Sequence, residues 1–151
     1  MLKQTINDLV SKAIGKAQKE GKLPAFDAPE IIIEHPQNAG HGDYSCSVPL
    51  KLTKVAKMKP MDIAKEIIAC MPPSREIEKA DIAPPGFINF TLKEDWLAGQ
   101  VDEVLKSGKA YGNIDTGKGQ KIQIEFVSAN PTGPLHVGAG RGAVIGSTLC
   151  N

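Results

Sequence analysis

The sequence predicts an α+β N-terminal domain, with helices packed on a small, mostly antiparallel sheet, followed by the first strand–loop–helix of an α/β domain. Three observations carry this. Apolar residues near the N-terminus recur at helical spacing: Leu2, Ile6, Leu9, Val10, Ala13, Ile14 and Ala17. Residues 75–92 alternate with period two on either side of a Pro-Pro-Gly turn. From Lys121 to Asn151 a strand-like run leads through a Pro/Gly loop with one histidine into a glycine-rich helix.

Composition sets the bounds. A chain of 151 residues with 41% hydrophobic and 23% charged residues is ordinary for a globular protein and affords a core. Aromatic residues are 5%, so that core must be mainly Ile, Leu, Val and Ala. The net charge of +1 gives no overall basic excess, so a nucleic-acid footprint would have to be local. The amphipathic N-terminus lacks the apolar stretch of a signal peptide, and no apolar run is long enough for a membrane span. Cys46, Cys70 and Cys150 are far apart and form no CxxC pair, which argues against a zinc site or a disulfide framework. Reduced thiols in a cytoplasmic protein, with no metal site, are the expectation.

The elements follow in order. The first helix carries Lys3, Asp8, Lys12 and Lys16 on its polar face, ends at Gly21 and cannot pass Pro24. Glu30–Glu34 is a short β-branched run that reads as a buried strand. After the turn-rich QNAGHGDYSCS, Asp43 is placed to cap a helix over Tyr44–Lys57, with Pro49 in its first turn. Met61–Met71 reads as another helix, started by Pro60 and stopped by Pro72-Pro73. Arg75–Ala83 and Phe87–Leu92 read as a hairpin; Phe87, Asn89 and Thr91 share one face, and Ile88, Phe90 and Leu92 the other. Lys93–Lys106 is a helix with Trp96, Leu97, Val101, Val104 and Leu105 as its apolar stripe, closed by Gly108. The glycine-rich YGNIDTGKGQ is the boundary. Domain limits are therefore 1–112, a linker at 113–120, and 121–151.

The last segment carries the chemistry. Ile122, Ile124 and Phe126 alternate with polar neighbours, and Glu125, Ser128 and Asn130 cluster at the strand's C-terminal end, where open α/β sheets bind ligands. A stiff Asn130-Pro131-Thr132-Gly133-Pro134 turn brings His136 to a helix start. Gly138, Gly140 and Gly142 allow close backbone approach, and free N–H groups at a helix N-terminus suit a phosphate. A histidine there can donate to phosphoryl oxygens in a transition state. The dinucleotide fingerprint fails, because its first glycine must follow the strand directly. The P-loop fails because Gly146-Ser147-Thr148 has no lysine.

EFVSANPTGPLHVGAGRGAVIGS resembles the start of the catalytic domain of arginyl-tRNA synthetases, class I aminoacyl-tRNA synthetases. His136-Val137-Gly138-Ala139 stands in the place of their HIGH motif. HGDYSCSVPLKLTK and PPGFINFTL resemble segments of the family's additional N-terminal domain, so the resemblance spans essentially the whole chain. It implies a Rossmann-type catalytic domain from residue 121, and a parent enzyme that joins arginine and ATP to an adenylate and passes arginine to tRNA(Arg). It implies Glu125 against the substrate guanidinium, and Ser128 and Asn130 as further arginine ligands. His136, Val137, Gly138 and Ala139 would lie at ATP, with His136 catalytic. It implies Phe87 stacking on, and Asn89 hydrogen-bonding to, an exposed tRNA base at the outer corner, near the D-loop.

Two departures stand out: Ala139 replaces the second histidine of HIGH, and Ser147 stands where the family often has Asp. The family's enzymes run several hundred residues further, so the chain is expected to be an N-terminal piece that contributes tRNA contact without catalysing alone. The expected partners are tRNA(Arg), arginine and ATP with Mg2+, none of them tightly bound by this piece. The parent is expected to be a monomer, and the piece to self-associate through its orphan strand at 121–127. A free-standing RNA-binding module is the alternative.

Overall fold

A computed structural model of the chain describes residues 2–27, 29–114, 117–130 and 132–150. It divides into two compact units, Met1–Gly108 and Lys109–Asn151.

In the first unit the elements run α1 (Leu2–Lys19), β1 (Ile33–Glu34), β2 (Tyr44–Cys46), α2 (Val48–Ala56), α3 (Pro60–Ala69), β3 (Ile77–Ala83), β4 (Phe87–Leu92) and α4 (Glu94–Ser107). The four strands form an antiparallel sheet in the order β1-β2-β4-β3. One face of the sheet meets the helices. Ile33, Cys46, Ile88 and Phe90 are buried with Ile6, Val10 and Ile14 of α1, Leu52 of α2, and Ile63 and Ile67 of α3. This is the α+β architecture with a small antiparallel sheet that the apolar spacing predicts.

The central loop differs from expectation. Tyr44–Cys46 is a strand, and the helix begins only at Val48, with Ser47 as its N-cap residue and Pro49 in its first turn. Asp43 caps no helix. Its Oδ2 accepts from the Leu92 backbone N–H at 2.8 Å, and its own N–H donates to the Phe90 carbonyl at 2.8 Å. An acceptor that can satisfy the end of β4 is spent there, and its neighbours are drawn into the sheet. The first strand is also shorter than expected: only Ile33–Glu34 pair with β2, since Ile33 already lies opposite Cys46, the last residue of β2, and Ile32 is exposed between buried Ile31 and Ile33.

Two glycines permit this packing. Gly42 has φ +82°, and a Cβ there would lie 2.7 Å from the Phe90 carbonyl oxygen. Gly86, at φ +150°, turns the β3–β4 hairpin against Pro60, whose Cβ would lie 2.5 Å from an added methyl. The helix α4 forms as predicted, but none of its residues is buried; Leu97, Val101 and Leu105 of its apolar stripe face solvent.

In the second unit α5 runs Val137–Cys150. The strand expected over Lys121–Val127 is absent: this segment is irregular and exposed, and Val127 has φ +58°. A strand needs ladder partners for its N–H and C=O groups, and among the described residues none pairs with it. The Phe126 ring lies on Gly146 of α5, where any Cβ would collide with it.

Candidate functional site

The alternation along β4 separates two kinds of side chain. Ile88, Phe90 and Leu92 enter the core, while Phe87, Asn89 and Thr91 take the face away from the helices. Pairing register extends that outer face across all four strands. Glu34 stands opposite Ser45, Ser45 opposite Asn89, and Asn89 opposite Asp81, giving one cross-strand row. Asp81 is paired with Lys79 at 3.0 Å.

Over this row lies a cavity of about 430 Å³. Phe87, Asn89, Ser45, Ser47, Glu34 and Pro84 line it, and residues of the loop from His35 to His41 form a further wall. That wall is held in place by local hydrogen bonds. His35 Nδ1 donates to the Asp43 carbonyl at 2.9 Å, and the ring lies 4.5 Å from that of Tyr44. Asn38 Oδ1 accepts from the Gly40 N–H at 2.9 Å, capping a 3-10 turn over Ala39–His41. Asn89 is only 7% exposed, and its Oδ1 accepts from Ser45 Oγ at 2.8 Å. No lysine or arginine lines the cavity. The Phe87 ring, two prolines, the carboxamides of Gln37, Asn38 and Asn89 and the Glu34 carboxylate in one concavity suit a flat ring that has hydrogen-bonding edges, more than they suit a phosphate.

Phe87 and Asn89 are thus brought together in one concavity. Ser45, His35, Asn38 and His41 were missed by reading the sequence. The turn-rich QNAGHGDYSCS marks their loop, but only strand register places Ser45 beside Asn89.

The C-terminal residues are arranged differently. The Gly138 N–H donates to His136 Nδ1 at 3.0 Å, so that nitrogen carries no proton and Nε2 does. A Cβ on Gly138 would lie 2.8 Å from His136 Cε1, so the glycine admits the imidazole. The His136 carbonyl accepts from the N–H groups of Ala139 and Gly140. The Gly140 bond is the ordinary first bond of the helix, so two N–H groups of the first turn, those of Gly138 and Ala139, already have partners within the chain, and the N-terminus offers fewer free N–H groups than expected. Glu125, Ser128 and Asn130 are exposed on the irregular segment. Among the described residues no hydrogen bond joins them to one another or to His136.

The cysteines are free: Cys46 and Cys70 are buried and Cys150 is exposed. Burial pushes the Cys46 thiol pKa up. Cys70 lies between Glu20 and Lys22, which pair at 2.7 Å. Among the described residues no group of His, Cys, Asp and Glu could hold a metal ion. No helix among them is long and apolar enough to cross a membrane.

The chain is similar to arginine–tRNA ligase of Dehalococcoides mccartyi strain CBDB1, 48% identical over 150 residues, which is 99% of this chain and 27% of that protein. It is 44% identical over 152 residues to that of Bacillus licheniformis, covering 100% of this chain and 26% of the relative. The chain therefore spans about a quarter of the length of these curated relatives. Its fold resembles that of the Plasmodium falciparum arginyl-tRNA synthetase, with a TM-score of 0.73 at 21% identity over 99% of this chain and 27% of that one. The Thermus thermophilus arginyl-tRNA synthetase gives a TM-score of 0.55 at 22% identity over 97% of this chain and 22% of that one. The family described as Arginyl tRNA synthetase N terminal domain matches residues 4–92, more than half of the chain, with the whole of the sheet, α2, α3 and all but the first two residues of α1, and the chain belongs to it.

Proposed function

We propose that this chain supplies the tRNA-contacting domain, and the opening of the catalytic domain, of a cytoplasmic arginine–tRNA ligase. The observation that carries the first part is the orientation of β4. Phe87 and Asn89 open onto a cavity, and the face that packs on helices is the one bearing Ile88 and Phe90. In this reading an unstacked base of tRNA(Arg) lies on Phe87, and Asn89 hydrogen-bonds its edge. The absence of lysine and arginine from the lining fits recognition of a base rather than of backbone. Similarity that runs through residues 121–150, and not only 4–92, favours the ligase over a free-standing RNA-binding module.

The second part rests on the resemblance of Lys121–Asn151 to the opening of the Rossmann-type domain. When bound with Mg2+, ATP supplies the adenylyl group that activates arginine. The protonated His136 Nε2 is a donor suited to a phosphoryl oxygen, and the dipole of α5 adds to it. Val137, Gly138 and Ala139 are the backbone beside that contact, while Glu125, Ser128 and Asn130 would hold arginine. The strand partners that 121–127 lacks would come from the complete catalytic sheet or from a second copy.

The test is a titration of transcribed tRNA(Arg) into the chain with and without Phe87→Ala. Loss of a stacked base lowers affinity about tenfold or more, while the melting temperature stays near wild type because Phe87 is outside the core. Unchanged tRNA affinity in Phe87→Ala would refute the reading.

A further inference from the structure

Ser47 lines the cavity and is also the N-cap residue of α2. Helix positions three and four apart are neighbours on one face, so Ser47, Lys51 and Lys54 form a row that starts at the cavity and runs along α2. At about 1.5 Å of rise per residue, the two lysines lie about 6 Å and about 10 Å along the axis from Ser47. Both are exposed, while Leu52 and Ala56 turn into the core. Lys57 and Lys59 continue the run, and no Asp or Glu occurs between Asp43 and Asp62. A chain with a net charge of only +1 thus gathers these four cations into one short stretch. The ion pairs among the described residues engage Lys16, Lys22, Lys65, Arg75 and Lys79, and none engages Lys51, Lys54, Lys57 or Lys59. Lys51 Nζ donates to the Glu30 carbonyl at 3.2 Å, which orients the ammonium without neutralising it.

Helix electrostatics explains part of this run. Lys54 lies in the last turn of α2, where the dipole favours a cation. It does not explain Lys51, one turn earlier, or Lys59, the N-cap residue of α3, where a cation opposes the dipole. We propose that the row of Lys51 and Lys54, extended by Lys57 and Lys59, is a phosphate-contacting surface, along which lies the backbone of the RNA strand whose base enters the cavity. This inference rests on the nucleobase reading and supplies what the cavity lacks. The cavity lining has no lysine or arginine, and its Glu34 carboxylate repels a phosphate, so the backbone must be held outside it. Phosphate contacts fix position without reading sequence, which leaves the reading to Phe87 and Asn89.

The experiment titrates transcribed tRNA(Arg) into the chain at several salt concentrations. For wild type, log affinity falls linearly with log salt. In the double variant Lys51→Gln/Lys54→Gln the slope shrinks by about 1.5, at about 0.7 to 0.9 per phosphate contact, and affinity at low salt falls about tenfold or more. Its melting temperature stays near wild type, because both side chains are exposed. Lys3→Gln/Lys12→Gln, which removes the same charge from exposed positions on α1, keeps the wild-type slope. Phe87→Ala lowers affinity and also keeps the slope. A wild-type slope in the α2 double variant, or an equal loss in the α1 pair, overturns the inference. So does an α2 double variant that binds tRNA normally but loses binding to vesicles of anionic lipid, which would assign the row to a membrane surface. Affinity undiminished in Phe87→Ala overturns instead the nucleobase reading.

Discussion

Substituting Gly42 by alanine tests whether the loop over β4 is held as described. Its backbone, at φ +82° and ψ −162°, lies in a region open essentially to glycine alone. A side chain there costs about 1–3 kcal/mol in conformational strain. The new Cβ would also lie 2.7 Å from the Phe90 carbonyl oxygen, a strand backbone atom that cannot swing aside. That oxygen accepts the Asp43 N–H, so relief of the clash lengthens a 2.8 Å hydrogen bond worth about 1 kcal/mol. The two contributions sum to about 3 kcal/mol. For a unit spanning Met1–Gly108 this lowers the melting temperature by about 13 °C. Gly15→Ala is the matched control. Gly15 lies within α1 with open space around its Cβ position, so alanine there should stabilise by up to about 1 kcal/mol. Thermal unfolding followed by circular dichroism separates the two signs. A Gly42→Ala melting temperature within about 3 °C of wild type would refute both the strain and the close approach.

Glu76 offers a pH test. The Ser74 hydroxyl first, and Arg75 second, hold its carboxyl pKa below the ordinary 4.5. A depressed carboxylate pKa contributes stability that is complete above the unfolded value and lost as pH falls through the folded one. Glu76→Gln should cost about 1 kcal/mol at neutral pH and flatten the acid limb below about pH 4.5; denaturant titrations at pH 7 and pH 3 that show equal losses would contradict this. In α5, Gly146→Ala raises helix propensity by about 1 kcal/mol yet displaces the Phe126 ring. Limited proteolysis should then cut residues 121–130 faster, and an unchanged cleavage rate would show that the ring is no anchor.

How much of this was legible in the sequence depended on the range of the interaction. The β3–β4 hairpin announced itself through FINFTL and Pro-Pro-Gly, because alternation and turn chemistry are local. The first and third helices did so through spacing and prolines. Asp43 misled because a cap before an apolar run and an acceptor for a strand 49 residues away look the same locally. Tyr44–Cys46 is too short to show a period. Ser45 acquires its role only from a partner 44 residues on. Lys121–Val127 carries a strand's alternation, but a strand is a property of a sheet, and the described residues contain no neighbour for it. At the C-terminal stretch, His136 was placed at a helix start from the Pro/Gly loop alone; that its own ring and carbonyl would cap the helix was not legible, since it turns on one rotamer.

The strand order also decides how this sheet behaves in a crowded solution. Its outer strands are β1 and β3, and each is poorly suited to recruit another chain. The edge at β1 is only two residues long and runs into Pro36 almost at once, which leaves too few backbone groups to seed a ladder. The longer edge at β3 carries Glu78, Lys79 and Asp81, whose charges would have to be stripped of water before a new strand could dock. The sheet whose outer face bears the cavity is thereby guarded along its borders, and resistance to edge-to-edge aggregation comes from the same short first strand that leads into the His35–His41 loop lining the cavity.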